Sequence, residues 1–309
     1  MKNINFGRSG LIVPQIALGC MRITELEENK TAEYLDKCLG LGINFFDHAD
    51  IYSAGECEKR FGTAIKELKI NREDIFIQSK CGIRPDKGMY DFSKDYIISS
   101  VDGILKRLDT EYLDVLVLHR PDALVEPEEV ASAFAELYNK GKVRHFGVSN
   151  HKTMQIELLS KYLGRRIETN QMQLSLAYAN MISNGIEVNM TTQNSPDRDG
   201  SILDYCRLND ITIQAWSPFQ ADFHSGKGSF IDNPNYSVLN EELEKIAEKY
   251  SVSKTCIATA WILRHPAKIQ LISGTMNQDR IAQIAKATEI SLEREEWYAL
   301  YRAAGNILP

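Results

Sequence analysis

Eight short β-rich runs, each followed by a stretch long enough for a helix, constrain the fold of this chain more than any other feature. They are "QIALG" (15 to 19), "INFFD" (43 to 47), "DIFIQSK" (74 to 80), "LDVLVLH" (113 to 119), "KVRHFGV" (142 to 148), "IETNQ" (167 to 171), "ITIQAW" (211 to 216) and "IQLISG" (269 to 274). From Tyr96 onward, Ile97, Ile98, Val101, Ile104, Leu105 and Leu108 line one helical face. "EPEEVASAFAELYNKG" sets Pro127 and acidic residues at its start and Gly141 just past its end, as helix termini prefer. The segment 253 to 264 is apolar at Ile257, Ala260, Trp261 and Leu263, and it stops before Pro266.

Strands and helices in this alternation form either a doubly wound open sheet or a closed (β/α)8 TIM barrel. A Rossmann sheet carries GxGxxG between its first strand and first helix, whereas that joint here reads "ALGCMRITELEEN". The barrel is therefore expected, as one domain over residues 1–309. "INF" and "LIV" around "GRSG" form an N-terminal β-hairpin that closes its bottom. "SLEREEWYALYRAAG" reads as an extra C-terminal helix with its N-cap at Ser291.

The formal net charge is −6 with cations scattered among acids, which excludes a basic face for nucleic acid or anionic lipid. The N-terminus "MKNINFGRSGLIVPQIALGC" is broken at Pro14 and Gln15, unlike the core of a secretion signal, and no run approaches membrane-spanning length. The expectation is a cytoplasmic protein acting on a small molecule, with no nucleic-acid or membrane partner, as a monomer or weak homo-oligomer. Six dispersed cysteines (20, 38, 57, 81, 206 and 256) show neither a CxxC pair nor zinc spacing, so reduced packing thiols and no metal site are expected.

In a parallel barrel the strand ends converge on one mouth. Runs two to seven end in Asp47, Lys80, His119, the pair Ser149 and Asn150, Gln171 and Trp216. Charged groups there must pair or lose solvation energy, so Asp47, Lys80 and His119 read as one polar cluster, into which Tyr52 reaches back. A tyrosine titrates near about 10, so exchanging a proton near neutrality requires a cation beside the phenol. Lys80 serves as that cation, Asp47 holds it, and His119 donates a hydrogen bond to a developing oxyanion. Taken singly, each residue also has a plain structural reading: a strand-end cap for the aspartate, a hydrogen-bonded core group for the histidine.

"GINFFDHADIYSAGECEKRFG", "IQSKCG", "DVLVLHRPD", "VRHFGVSN", "TNQMQ", "AWSPF" and "SGTMNQDRI" occur in that order. On these motifs, over nearly its whole length, the chain resembles the aldo-keto reductase family, most closely its bacterial oxidoreductases with "LHRPD" after the fourth strand. The resemblance implies a metal-free barrel that reduces aldehydes or ketones with a nicotinamide cofactor, NADPH preferred and NADH possible. It implies a catalytic set of Asp47, Tyr52, Lys80 and His119, with Tyr52 the general acid. Ser149, Asn150 and Gln171 would bind the nicotinamide carboxamide, Trp216 would stack on its ring beside Ser217, and Thr275 and Arg280 would take the phosphates of the adenine end. Met21 and Arg22 border the cofactor and, with Tyr90 and Phe223, are candidates to line the substrate pocket; Lys227 in "SGKGSF" is a candidate for the pyrophosphate. Gly274 stands where a basic residue is common, and Ile284 where an asparagine is. Two other readings stay open: a cofactor-binding sensor or regulatory subunit, and a dehydrogenase oxidising a sugar or polyol.

Overall fold

Alternation along a strand sorts side chains into an inward and an outward set, and in this chain both sets are buried. The computed structural model describes residues 1–221 and 228–308, so Phe223 and Lys227 lie outside the described residues. β1 (Asn3–Asn5) and β2 (Ile12–Pro14) pair antiparallel as the expected hairpin. β3 (Ile16–Gly19), β4 (Phe45–Asp47) and β5 (Phe76–Cys81) open the barrel. A two-residue antiparallel pair follows, β6 (Ile83–Arg84) with β7 (Met89–Tyr90), inside a stretch that reads as loop in the sequence. β8 (Leu113–Leu118), β9 (Val143–Ser149), β10 (Ile167–Gln173), β11 (Thr212–Trp216) and β12 (Gln270–Ser273) complete the circle, and β12 returns to β3. Eight parallel strands thus close a (β/α)8 barrel, in sequence order.

The helices are α1 (Glu28–Gly40), α2 (Glu56–Glu67), α3 (Lys94–Leu108), α4 (Pro127–Asn139), α5 (Thr153–Leu163), α6 (Asn180–Ile186), α7 (Ile202–Leu208), α8 (Ser237–Tyr250), α9 (Lys254–Leu263), α10 (Gln278–Lys286) and α11 (Arg294–Ala303). α11 is the extra C-terminal helix, but its N-cap is Glu293 and not Ser291. Glu296, three residues on, reaches back to the Glu293 N–H at 2.8 Å, and this capping box starts the helix two residues later than the serine proposed. α6 lies in the 175 to 200 segment, where the polar sequence shows no helical period.

Two apolar clusters express the alternation. Val115 and Val117 of β8, Phe45 of β4, Ala17 of β3 and Ile272 of β12 face the barrel axis and join Ile4, Phe6 and Val13 of the hairpin. Leu116 and Leu118, Phe46 and Ile16 and Leu18 face outward, into the layer packed by the helices. Phe6 lies 5.7 Å from Phe45 between ring centroids, so the hairpin plugs the bottom of the barrel with aromatic area.

Where α2 meets α3, Gly62 lets two backbones touch: a Cβ there would stand 2.7 Å from the carbonyl oxygen of Leu108. That oxygen belongs to a helix end and cannot yield as a side chain would. Gly62→Ala is expected to cost about 1–3 kcal/mol of stability in urea titration, despite the better helix propensity of alanine, and a neutral or stabilised variant would contradict the packing described.

Candidate active site

β4 ends at Asp47 because Phe45 and Asp47 share the inward face, the first in the apolar plug and the second one pleat higher. The same period puts Gln78 and Lys80 of β5 inward, and register pairs Asp47 with Gln78. Lys80 is fully buried. Its Nζ donates to the Asp47 carboxylate at 2.7 Å, to the carbonyl of His48 at 2.8 Å and to the Tyr52 hydroxyl at 3.2 Å. Three donors meet three acceptors, which satisfies an ammonium completely. Burial alone would push Lys80 down, but Asp47 and Tyr52 outweigh it and hold the ammonium above its ordinary value.

Tyr52 arrives on a turn of unusual backbone. Ser53 and Ala54 take φ of 46° and 53°, and Gly55 takes 90°. Two consecutive non-glycine residues in the left-handed region are costly, and the turn is held by contacts on its far side. Burial pushes the Tyr52 phenol above its ordinary value, with Lys80 acting against that rise. The group therefore stands as a phenol that carries its proton, with a cation poised to stabilise the phenolate.

His119 follows β8, and its N–H donates to Cys81 at 2.9 Å, which extends the ladder by one residue. Its ring meets that of Tyr52 edge-on, with centroids 6.0 Å apart. Burial, then Lys80 and Arg120, push the imidazole down to about 2, so it is neutral, and its Nδ1 is buried with no partner among the described residues. A neutral imidazole can donate or accept a hydrogen bond but carries no extra proton to give up.

A second connected set lies across the mouth. Ser149 Oγ donates to the Gln171 carbonyl at 3.0 Å, Asn150 Nδ2 donates to Ser149 Oγ at 2.7 Å, and the Trp216 indole N–H donates to Asn150 Oδ1 at 3.3 Å. Asn150 has φ of 57° and Ser217 of 51°, so both strand ends turn sharply at the mouth. Gln171 is shared: its Nε2 donates to Asp47 Oδ1 at 3.0 Å. The structure thus joins Asp47, Tyr52, Lys80, His119, Ser149, Asn150, Gln171 and Trp216 in one site.

Arg22, Thr275 and Arg280 lie apart from it, around the β12–α10 turn. Arg22 Nε donates to the Gly274 carbonyl at 2.9 Å, and a Cβ on Gly274 would come within 3.1 Å of Arg22 Nη2. Thr275 is held from behind by the Tyr34 hydroxyl, which donates to its carbonyl at 2.5 Å. Arg280 is exposed in the first turn of α10, where its N–H is capped by Asn277 at 2.8 Å. Ile284 is fully buried in the core. Met21 and Tyr90 are exposed and touch neither group through a hydrogen bond given by the structure. All six cysteines are free and buried, as packing thiols should be; burial holds Cys20 and Cys81 well above the ordinary thiol range. No cluster of three or more potential metal ligands occurs among the described residues, and no described helix is long and apolar enough to cross a membrane.

Three features of the site are absent from the sequence reading. Gln78 donates to Asp47 at 2.6 Å, although its place two residues before Lys80 marks it as inward-facing. Behind the strand, Glu58 accepts from Ser79 Oγ and from Arg107 Nε, both at 2.7 Å. Asp50 has a buried, unpartnered Oδ1, and burial beside Glu58 raises its carboxyl to about 7.

A closed (β/α)8 barrel with a buried lysine–aspartate pair set against a phenol at the C-terminal mouth has the make-up of an enzyme. The chain belongs to the aldo/keto reductase family, whose model matches residues 15–304. It is 36% identical over 281 residues to the uncharacterized oxidoreductase YcsN of Bacillus subtilis (strain 168), covering 87% of this chain and 86% of that one. It is 32% identical to the 6-dehydroglucose reductase of Agrobacterium fabrum over 95% of each chain. Among solved structures it matches the thermostable aldo-keto reductase Tm1743, in complex with the inhibitor epalrestat, with a TM-score of 0.78 at 28% identity, covering 98% of this chain and 100% of that one.

The Asp50 carboxyl has a testable pH signature. Its folded value, raised to about 7 from 3.8, makes a contribution fully present below 3.8 and lost as pH rises through 7. Asp50→Asn is therefore expected to exceed wild type in stability at pH 8, on the order of 1–3 kcal/mol, with the gap closing toward pH 4. Urea midpoints at the two pH values measure it, and a gap independent of pH would refute the raised value.

Proposed function

We propose that this chain is an NADPH-dependent carbonyl reductase in which Tyr52 is the general acid. The observation that carries the reading is the buried ammonium of Lys80, whose third proton is donated to the Tyr52 oxygen. That bond leaves the phenolic O–H free to point at a substrate and stabilises the charge left behind once the proton has gone. Neutral His119 donates a hydrogen bond to the carbonyl oxygen and fixes its position beside the phenol. Asp47 keeps Lys80 charged and in place.

The residues at the mouth fit a nicotinamide. Ser149, Asn150 and Gln171 present hydroxyl and amide groups, the donor and acceptor mix that a carboxamide requires, and Trp216 offers a flat face beside them. Bound there, a reduced nicotinamide supplies the hydride equivalent that the carbonyl carbon takes up. Tyr52 gives its proton to the carbonyl oxygen, an alcohol results, and Tyr52 is reprotonated from solvent.

Preference for NADPH rests on Arg280 and Thr275, supported by Arg22. Position 274 lacks the basic side chain common in the family, but Arg22 is bonded to the Gly274 carbonyl and its guanidinium fills the space a side chain would take there. The cation missing from position 274 is thereby replaced from the opposite side of the turn. For the substrate, the 6-dehydroglucose reductase relative favours a carbonyl on a sugar.

Tyr52→Phe is expected to lower reductase turnover by about 100-fold or more while NADPH binding, followed by fluorescence, stays near wild type. Retained turnover on a panel of aldehydes, ketones and oxidised sugars would remove Tyr52 from the mechanism. Arg280→Ala should weaken NADPH binding about 10-fold or more and leave NADH nearly unchanged, as expected for loss of one charge-assisted phosphate contact. Equal losses for the two cofactors would show that Arg280 does not read the 2′-phosphate.

A further inference from the structure

Four glutamines lie inside the barrel, and the mechanism above uses one. Gln78 of β5, Gln171 of β10, Gln214 of β11 and Gln270 of β12 are 0%, 4%, 0% and 0% exposed. Register sets Gln171 beside Gln214 and Gln214 beside Gln270, while Gln78 neighbours Asp47. Gln270 Nε2 donates to the Pro14 carbonyl at 2.7 Å, and Gln214 Nε2 donates to Gln270 Oε1 at 2.8 Å. Gln214 Oε1 then accepts from Gln78 Nε2 at 3.0 Å and from Gln171 Nε2 at 3.3 Å. Both of those amide nitrogens also donate to Asp47 Oδ1, at 2.6 and 3.0 Å.

The amides can run in only one direction. Pro14 offers a carbonyl, so Gln270 must turn its nitrogen down and its oxygen toward Gln214. Gln214 must then show its oxygen to Gln78 and Gln171, whose NH2 groups each have a second hydrogen to spend. Both of those hydrogens go to Asp47. The arrangement has a cost, because Gln78 Oε1 is left buried with no partner among the described residues. Flipping that amide would aim its oxygen at the carboxylate and break two bonds, so the orphan persists.

We infer that Gln78 is a positioning residue for proton donation by Tyr52, acting through Asp47 and aimed by Gln214 and Gln270. The inference rests on the proposed role of Tyr52 as acid. Besides Lys80, the titratable groups that face Tyr52 among the described residues are Asp47, His119 and Cys20, from three other parts of the barrel. Of these, the carboxylate is the one Gln78 touches, and it is the one whose charge opposes a phenolate. An N–H dipole at 2.6 Å draws part of that charge away from the phenol and leaves Lys80 the stronger influence.

Gln78→Met keeps the volume, removes the donor and removes the orphaned carbonyl with it. In reductase assays across pH, the alkaline limb of kcat, where the acid loses its proton, should move up by about half a unit or more as Asp47 acts unscreened on the phenol. The plateau of kcat should fall about 10-fold, with KM and NADPH affinity within about 2-fold of wild type. A lower kcat with an unmoved limb would mark Gln78 as a packing residue and overturn the inference. If Gln78→Met does not fold, Gln214→Met supplies the test: it removes the acceptor that aims both donors, so the limb should move the same way, and an unmoved limb again overturns it. Tyr52→Phe run in parallel separates the two readings. Turnover surviving in that variant would overturn both, whereas its loss beside an unmoved limb in Gln78→Met would overturn this one alone.

Discussion

The fully buried ammonium of Lys80 is the constraint on which the rest of the mouth depends. Removing an ion of that size from water costs several kcal/mol even after relaxation, and only good geometry with every proton bonded offsets it. Lys80 has its three acceptors in a carboxylate, a backbone carbonyl and a phenol. Each requirement reaches back into the chain. β4 has to finish on an acid at the inward position, the backbone after it has to present the His48 carbonyl, and the following turn has to bend far enough to deliver an oxygen from Tyr52. Burial and the proposed reactivity therefore draw on the same arrangement: the phenol that completes the lysine's shell is the group whose ionisation the lysine favours.

The turn that delivers Tyr52 is strained, and the helical layer behind it keeps it in place. A Cβ on Gly55 would stand 2.6 Å from Arg107 Cδ, so the guanidinium stem of α3 packs directly under the turn. Arg107 is tied to Glu58 of α2, and Glu58 to Ser79, which neighbours Lys80 and points the other way. A buried carboxylate with a buried hydroxyl and an arginine thus locks α2 and α3 onto β5 at the level of the active site. The left-handed residues Ser53 and Ala54 persist because the surrounding packing over-determines them.

The architecture was legible because alternation and helical period are local properties. Each of the eight runs lies within two residues of a barrel strand, and the strand-end logic that gathered Asp47, Lys80 and His119 needs nothing beyond a parallel barrel. Ser291 looks like the cap because a serine before a helical pattern is a good cap in isolation, and only the side chain of Glu296 decides that Glu293 outcompetes it. The glutamine row is hidden from the sequence for a different reason. "IQSK", "TNQ", "IQAW" and "IQLIS" show one glutamine in each of four runs, but only register across the sheet reveals that they meet. Likewise, Arg22 and Gly274 are distant in sequence, and their contact exists only because β12 closes onto β3.

A polar layer inside a barrel needs a reason, since buried networks are often no more stable than apolar side chains of the same volume. On the same inward face, Phe45, Val115, Val117, Ala17 and Ile272 show that the barrel supplies well-packed apolar residues at such positions, Val115 directly beside Gln78. Hydrophobic replacements at 78, 214 and 270 would fit the same pattern and would remove the unpartnered carbonyl of Gln78. What they could not supply is an oriented row of dipoles that ends with two N–H groups on Asp47. Held by Lys80, Gln78 and Gln171 together, that carboxylate cannot rotate away from the ammonium. The Asp47–Lys80 pair is therefore set by rigid strands, and the proposed proton donation builds on that fixed pair, leaving the loops around the mouth to determine which carbonyl compound is admitted.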